Sequence, residues 1–179
     1  MGLTPTYHGV VSCANDVDEV GRIVAAWQRE RADLDVSPLE ILSRVTRLAR
    51  HLDRARASAF AEHGLDVWEF DVLAALRRAG KPYELSPGSL VSQTMVTSGT
   101  MTNRVDRLTS RGLVERQPEP RDRRGVIVRL TGDGLLRVDD AFAGLLAREH
   151  ALLDGVDAAQ RAELATLLMR LVAPFDAGG

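Results

Sequence analysis

The chain has 179 residues, of which 45% are hydrophobic but only 4% aromatic, and its formal net charge is −2. That length supports one domain with a core, or one domain with helical arms, and the core must rest on Leu, Val, Ala and Ile. No apolar run approaches the roughly 20 residues that cross a bilayer, no basic stretch followed by an apolar block opens the chain, and the one cysteine, Cys13, has no internal disulfide partner. These features predict a cytoplasmic protein without a membrane partner.

Residues 1–15 mix Gly, Pro, Ser, Thr and His without a period and predict a flexible tail. An extra N-terminal helix is expected within 16–36, because Val17, Val20, Val24 and Trp27 recur at spacings of three and four. "DLDVSP" breaks that pattern, and Ser37 before Pro38 is a cap followed by proline in the first helical position. Leu39, Leu42, Val45, Leu48, Leu52 and Ala59 then carry a stripe to Phe60, with Gly64 closing the helix. A third helix is expected from Asp66 to Arg78, ending at Gly80.

Ser86-Pro87 repeats the cap-then-proline start and opens a short helix to Thr94. Thr97 or Ser98 can cap the next helix, which turns Met101, Val105 and Leu108 inward and stops at Gly112. Two helices joined by so few residues form a helix-turn-helix. Leu113–Gln117 and Gly125–Leu130 have β character, with Val126, Val128 and Leu130 on one face and Ile127 and Arg129 on the other. Thr131 reopens a helix with Leu135, Val138, Phe142, Leu145 and Leu146 on its stripe. A last helix carries Leu164, Leu167, Leu168, Leu171 and Val172 and is expected to end at Pro174.

The order helix, turn, helix, strand, loop, strand is a winged helix-turn-helix. The fold class expected is mainly α with a small β-hairpin and with N- and C-terminal dimerisation helices. Residues 65–130 would form the DNA-binding domain, and 37–64 with 131–179 the helical dimerisation region. The terminal helices have apolar faces that one small core cannot cover, and a two-fold homodimer is the simplest cover.

Charge supports a polyanion partner. Between Arg104 and Arg129 there are eight arginines against four acids, a local excess of positive charge on an acidic protein. Arg121, Arg123 and Arg124 fall on the loop between the strands, where they can meet phosphates or a narrow minor groove. Asp122 suits a wing-shaping role, through a hydrogen bond to a neighbouring arginine or amide. On the second helix of the pair, Ser98, Thr100, Thr102 and Asn103 sit at its N-terminal end, which also attracts phosphate. Asn103 can read adenine through two hydrogen bonds. Arg107 and Arg111 are expected as phosphate contacts.

The stretch "TMTNRVDRLTSRGLVERQPEPRDRRGVIVRLT" (100–131) resembles the recognition helix and wing of the multiple antibiotic resistance regulator (MarR) family of bacterial transcription factors. "NRVDRL", "RGLVER" and "DRRGVIVRLT" carry the resemblance, which with the flanking helices covers about residues 37–174. It implies a homodimeric regulator, in the usual case a repressor, on a palindromic duplex DNA operator, released by a small molecule. The added helix with Trp27, Asp71 in "WEFDVLAAL" and Arg104 resembles the members that respond to urate or trans-aconitate-like anions. That resemblance implies a small anionic effector bound by Trp27, Asp71 and Arg104. Each of the three also has a plain structural reading: Trp27 as core, Asp71 as an exposed helix acid, Arg104 as one half of a permanent salt bridge.

No nucleophile–base set, phosphate loop, dinucleotide fingerprint or metal-ligand spacing stands out, so neither an enzyme nor a cofactor is expected. The alternatives are a winged-helix module for protein contact, which would not need the arginine-rich wing, and a redox-sensing regulator acting through Cys13.

Overall fold

The computed structural model describes residues 17–119 and 122–176, with the side chains of 122–124 excepted. Cys13 lies outside the described residues. The elements are α1 (Glu19–Glu30), α2 (Pro38–Glu62), α3 (Val67–Arg78), β1 (Glu84–Leu85), α4 (Pro87–Thr94), α5 (Ser98–Ser110), β2 (Val114–Glu119), β3 (Asp122–Leu130), α6 (Gly132–Leu152) and α7 (Ala158–Asp176). They make a mostly helical winged helix-turn-helix fold with a small antiparallel sheet, ordered β1-β3-β2. The chain divides into two units, residues 1–51 with 152–179, and residues 52–151.

In the first unit α1 starts where Asp18 accepts a hydrogen bond from the Gly21 amide at 2.8 Å. Its apolar positions Val20 and Val24 are buried. Arg44 of α2 grips Asp18 with two nitrogens, at 3.0 and 2.8 Å, and Arg47 pairs with Glu19 at 2.7 Å. The Arg44 guanidinium, and after it the Gly21 amide, hold the Asp18 carboxyl below its ordinary range. That contribution is complete above the ordinary aspartate range and is lost as pH falls through the lowered value. The rest of the apolar pattern stays open in the single chain: Val17, Trp27, Leu42, Val45 and Leu48 are exposed, and α7 buries none of its residues. Pro174 lies inside α7 instead of ending it. So near a helix end a proline removes one backbone bond, and the two residues beyond it still continue the turn.

The core of the second unit is aliphatic, as the composition requires. Leu73, Leu76, Leu90, Leu108 and Val128 are completely buried, and Phe60 stacks on Phe70 with ring centroids 3.8 Å apart. Gly64, with φ +66°, takes the left-handed turn that ends α2, and the Leu65 amide reaches back to the Phe60 carbonyl at 2.9 Å.

The sheet departs from the sequence expectation in three ways. A third strand, β1, pairs with β3 through Glu84↔Arg129 and Leu85↔Val128, and two residues are too few to show an alternating pattern. The hairpin is longer than expected: Glu119 pairs with Asp122, so Asp122, Arg123 and Arg124 belong to the backbone of β3 and not to a loop. Ile127 is buried while Val126 is 42% exposed. Both faces of β3 are therefore covered at its base, and Val126 lies next to the register shift at Pro118/Glu119.

α6 begins at a crowded corner. The Thr131 hydroxyl donates to the Gly112 carbonyl at 2.7 Å and accepts from the Gly134 amide at 3.0 Å, while the Thr131 amide donates to the Leu113 carbonyl at 3.2 Å. A Cβ on Gly134 would lie 2.0 Å from that same Leu113 oxygen, a backbone atom that cannot turn away. Gly134→Ala is therefore expected to lower stability by about 1–3 kcal/mol despite the better helix propensity of alanine. Gly132→Ala, where nothing lies within 4 Å, should be neutral or stabilising. Urea unfolding of both variants checks the pair.

Candidate nucleic-acid interface

The helix-turn-helix is built by two caps and one left-handed residue. Ser86 caps α4 by accepting from the Ser89 amide at 3.1 Å, with Pro87 in the first helical position. α4 ends at Met95, which has φ +51° and is 93% exposed. Thr97 then caps α5, accepting from the Thr100 amide at 3.3 Å. The period of α5 turns Met101, Val105 and Leu108 into the core and leaves Ser98, Gly99, Thr100, Thr102 and Asn103 exposed. The polar N-terminal face expected from the sequence is present as one continuous surface. Thr102 also returns its hydroxyl to the Ser98 carbonyl at 3.0 Å, which leaves its oxygen free to accept.

The other end of α5 is fixed by a residue that the sequence reading did not single out. Glu69 is 1% exposed and forms an ion pair with Arg111, the C-cap residue of α5. The same Glu69 oxygen accepts from the Asp66 amide at 3.0 Å, closing the capping box of α3. Arg111 also donates to the Gly64 carbonyl at 2.6 Å. Two of its nitrogens are thereby held by Glu69 and the Gly64 carbonyl, which gives Arg111 a structural role beside the phosphate contact expected of it, while 36% of its side chain stays exposed. A carboxylate this buried requires a cation, and the end of α5 supplies it. The spacing Asp66-x-x-Glu69 ahead of an apolar run was the available signal for the capping half of this arrangement.

Trp68 is the second unforeseen member. Its ring lies under two guanidiniums of α5, with Arg107 at 4.8 Å and Arg104 at 5.4 Å from the ring centroid. Its indole Nε1 donates to Asp66 Oδ2 at 3.2 Å, and Arg107 approaches that oxygen at 3.9 Å. Trp68, Thr100, Asn103, Arg104 and Arg107 line a surface cleft of about 300 Å³.

The proposed effector residues are placed as follows. Arg104 is half-buried on the Trp68 ring. Asp71 pairs with Arg56 of α2 at 3.6 Å and not with Arg104. Trp27 belongs to the first unit and is 50% exposed. Of the wing residues, Arg121 and the side chains of Asp122, Arg123 and Arg124 lie outside the described residues.

The MarR family model matches residues 63–125, from the turn after α2 into the first part of β3. The transcriptional regulator PecS of Dickeya dadantii is 36% identical over 153 residues, which cover 86% of this chain and 92% of PecS. The chain belongs to the MarR family. A mutant MarR of E. coli, solved in complex with operator DNA, is similar in structure with a TM-score of 0.62 and 29% identity, covering 78% of this chain and 99% of that one. BpsR of Bordetella bronchiseptica, whose DNA binding is regulated by 6-hydroxynicotinic acid, matches with a TM-score of 0.54 and 27% identity over 72% of this chain and 98% of its own.

The geometry also redistributes the charge of this MarR-family surface. Glu84 neutralises Arg129 through two contacts at 2.8 and 2.5 Å, and Glu69 neutralises Arg111. Asp106 holds Arg116 at 2.5 Å. The acids Asp66, Glu69 and Glu84 lie outside the basic window, so its eight arginines face seven carboxylates once they are included. Arg104 pairs with no carboxylate among the described residues, and Arg107 meets Asp66 only at 3.9 Å. Arg111→Ala should strand Glu69 and lower stability toward the low end of the roughly 3–5 kcal/mol found for broken buried pairs, because the Arg111 side chain is 36% exposed. Arg111→Lys, which keeps the charge but not the two-point fork, should fall between. Denaturant unfolding measures both.

Proposed function

We propose that the chain is a repressor that binds a palindromic duplex DNA operator as a homodimer and is released by a small anionic effector. The observation that carries the DNA reading is the exposed polar face at the N-terminal end of α5, on a helix capped by Thr97 and anchored by Arg111. The first turn of α5 enters the major groove, where Ser98, Thr100 and Thr102 contact bases or phosphates and Asn103 reads adenine. Arg107 meets the phosphate backbone. Arg121, Arg123 and Arg124 carry the wing to the backbone or minor groove, with Asp122 shaping it. The operator complex of the E. coli relative supports this docking.

The homodimer is supported by the apolar surface that α1, the N-terminal half of α2, and α7 leave open. We assign dimerisation to residues 37–64 and 131–179, and DNA binding to 65–130. A two-fold assembly of this kind presents two copies of α5, which is what a palindromic operator requires.

The effector reading rests on Arg104. Its guanidinium lies on Trp68 and has no carboxylate partner among the described residues, so an incoming anion offers it an ionic contact that the free protein withholds. Because Arg104 shares α5 with Asn103, a change in what holds it changes the base-reading face. The control of BpsR by a carboxylic acid, and the resemblance to regulators of urate and trans-aconitate type, support the same chemistry. A coupling of about 1–3 kcal/mol gives roughly 5–150-fold relief of DNA binding.

One titration tests both parts. Operator fragments recovered by footprinting are labelled, and binding is followed by anisotropy across salt concentrations. Arg123→Ala and Arg124→Ala should each weaken binding and lower the salt slope by about one unit. Urate, citrate or trans-aconitate should release the wild-type complex, and Arg104→Ala should blunt that release. Unchanged slopes would remove the wing from the interface. Failure of all three anions would remove the effector class and leave the DNA reading standing.

A further inference from the structure

Arg104 and Arg107 lie one helical turn apart on the same side of α5, where two like charges repel. Opposite them, at the start of α3, stand an aromatic face and an acid. The Trp68 ring takes Arg107 at 4.8 Å and Arg104 at 5.4 Å, and Asp66 Oδ2 takes both the indole Nε1 at 3.2 Å and Arg107 at 3.9 Å. The indole is thus oriented by a hydrogen bond, packed against the core and approached over its ring by two guanidiniums. A ring beneath a guanidinium occupies its face and leaves the edge N–H groups pointing outward, which are the groups that bind phosphate and base edges. Thr100 and Asn103 line the same cleft, so the ordered guanidiniums sit directly beside the base-reading end of α5.

From this arrangement we infer that Trp68 is a positioning residue for operator recognition: it holds the Arg104 and Arg107 guanidiniums in place before the duplex arrives. The inference rests on the DNA-binding reading above. An arginine on an open helix surface must lose most of its rotamer freedom on binding DNA, and the Trp68 ring removes much of that freedom beforehand. Trp68 itself acts through the arginines and needs no contact with DNA.

A double-mutant cycle in the full-length chain tests this. Trp68→Leu and Trp68→Phe are made in the natural sequence and again in an Arg104→Ala/Arg107→Ala background, and operator affinity is measured by anisotropy. In the natural background Trp68→Leu should weaken binding about tenfold and Trp68→Phe clearly less, because a phenyl ring keeps the face. In the arginine-free background both should change affinity less than about twofold, since nothing is left to position. Equal losses in the two backgrounds would overturn the inference, because Trp68 would then act alone or through the fold. No loss in the natural background would overturn it as well. If Trp68→Leu does not fold, the cycle with Trp68→Phe decides on the same criterion. Absence of wild-type binding to any duplex would overturn the functional reading and this inference together, whereas additive losses overturn the inference alone.

Discussion

One buried carboxylate ties the DNA-facing half of the molecule together. Glu69 closes the first turn of α3, pairs with the cation that ends α5, and through that cation reaches the carbonyl of Gly64 in the turn between α2 and α3. The Gly64 turn and the start of α3 thereby meet the end of α5, 42 residues further along the chain, at one carboxylate. Removing its partner leaves a charge in a site from which water is largely excluded, so the contact behaves as a constraint on geometry more than as a source of stability.

The remaining architecture completes what that constraint begins. The Gly112 turn after α5 is pinned to the start of α6 by Thr131, and the close approach of Gly134 to Leu113 allows no side chain between them. α5 is therefore held at its end by α3 and followed at once by a corner that admits little adjustment. Its inner face packs through Met101, Val105 and Leu108. What is left to meet a ligand is a short polar face, two guanidiniums stacked on Trp68, and a hairpin rooted by the Glu84–Arg129 pair. The fold supplies a fixed helix and leaves chemical variety to its surface.

Local periodicity and capping were legible in the sequence. The Met101–Val105–Leu108 stripe, the cap at Ser86, the α5 cap narrowed to Thr97 or Ser98, and the glycine stops at 64, 80 and 112 all depend on neighbours within a few residues. The partners of the arginines were not legible. Arg111 finds Glu69 at a separation of 42 residues and Arg129 finds Glu84 at 45, so the sequence showed a run of positive charge where the structure shows two neutralised anchors. Strand β1 was hidden by its two-residue length, and the extra reach of the hairpin by arginines that look like loop residues. Within α3, the tryptophan that meets Arg104 is Trp68, whose place beside α5 depends on how two helices pack and not on any spacing in the chain.

The central claim is that α3 and α5 form one rigid block whose recognition surface exists before DNA binds. Its most direct test is the structure of the operator complex, superposed on the free protein through α3. The account predicts that the Cα atoms of α5 stay within about 1 Å of their free positions and that Arg111 keeps its pair with Glu69. A displacement of α5 by more than about 2 Å, with Arg111 transferred from Glu69 to a phosphate, would contradict it.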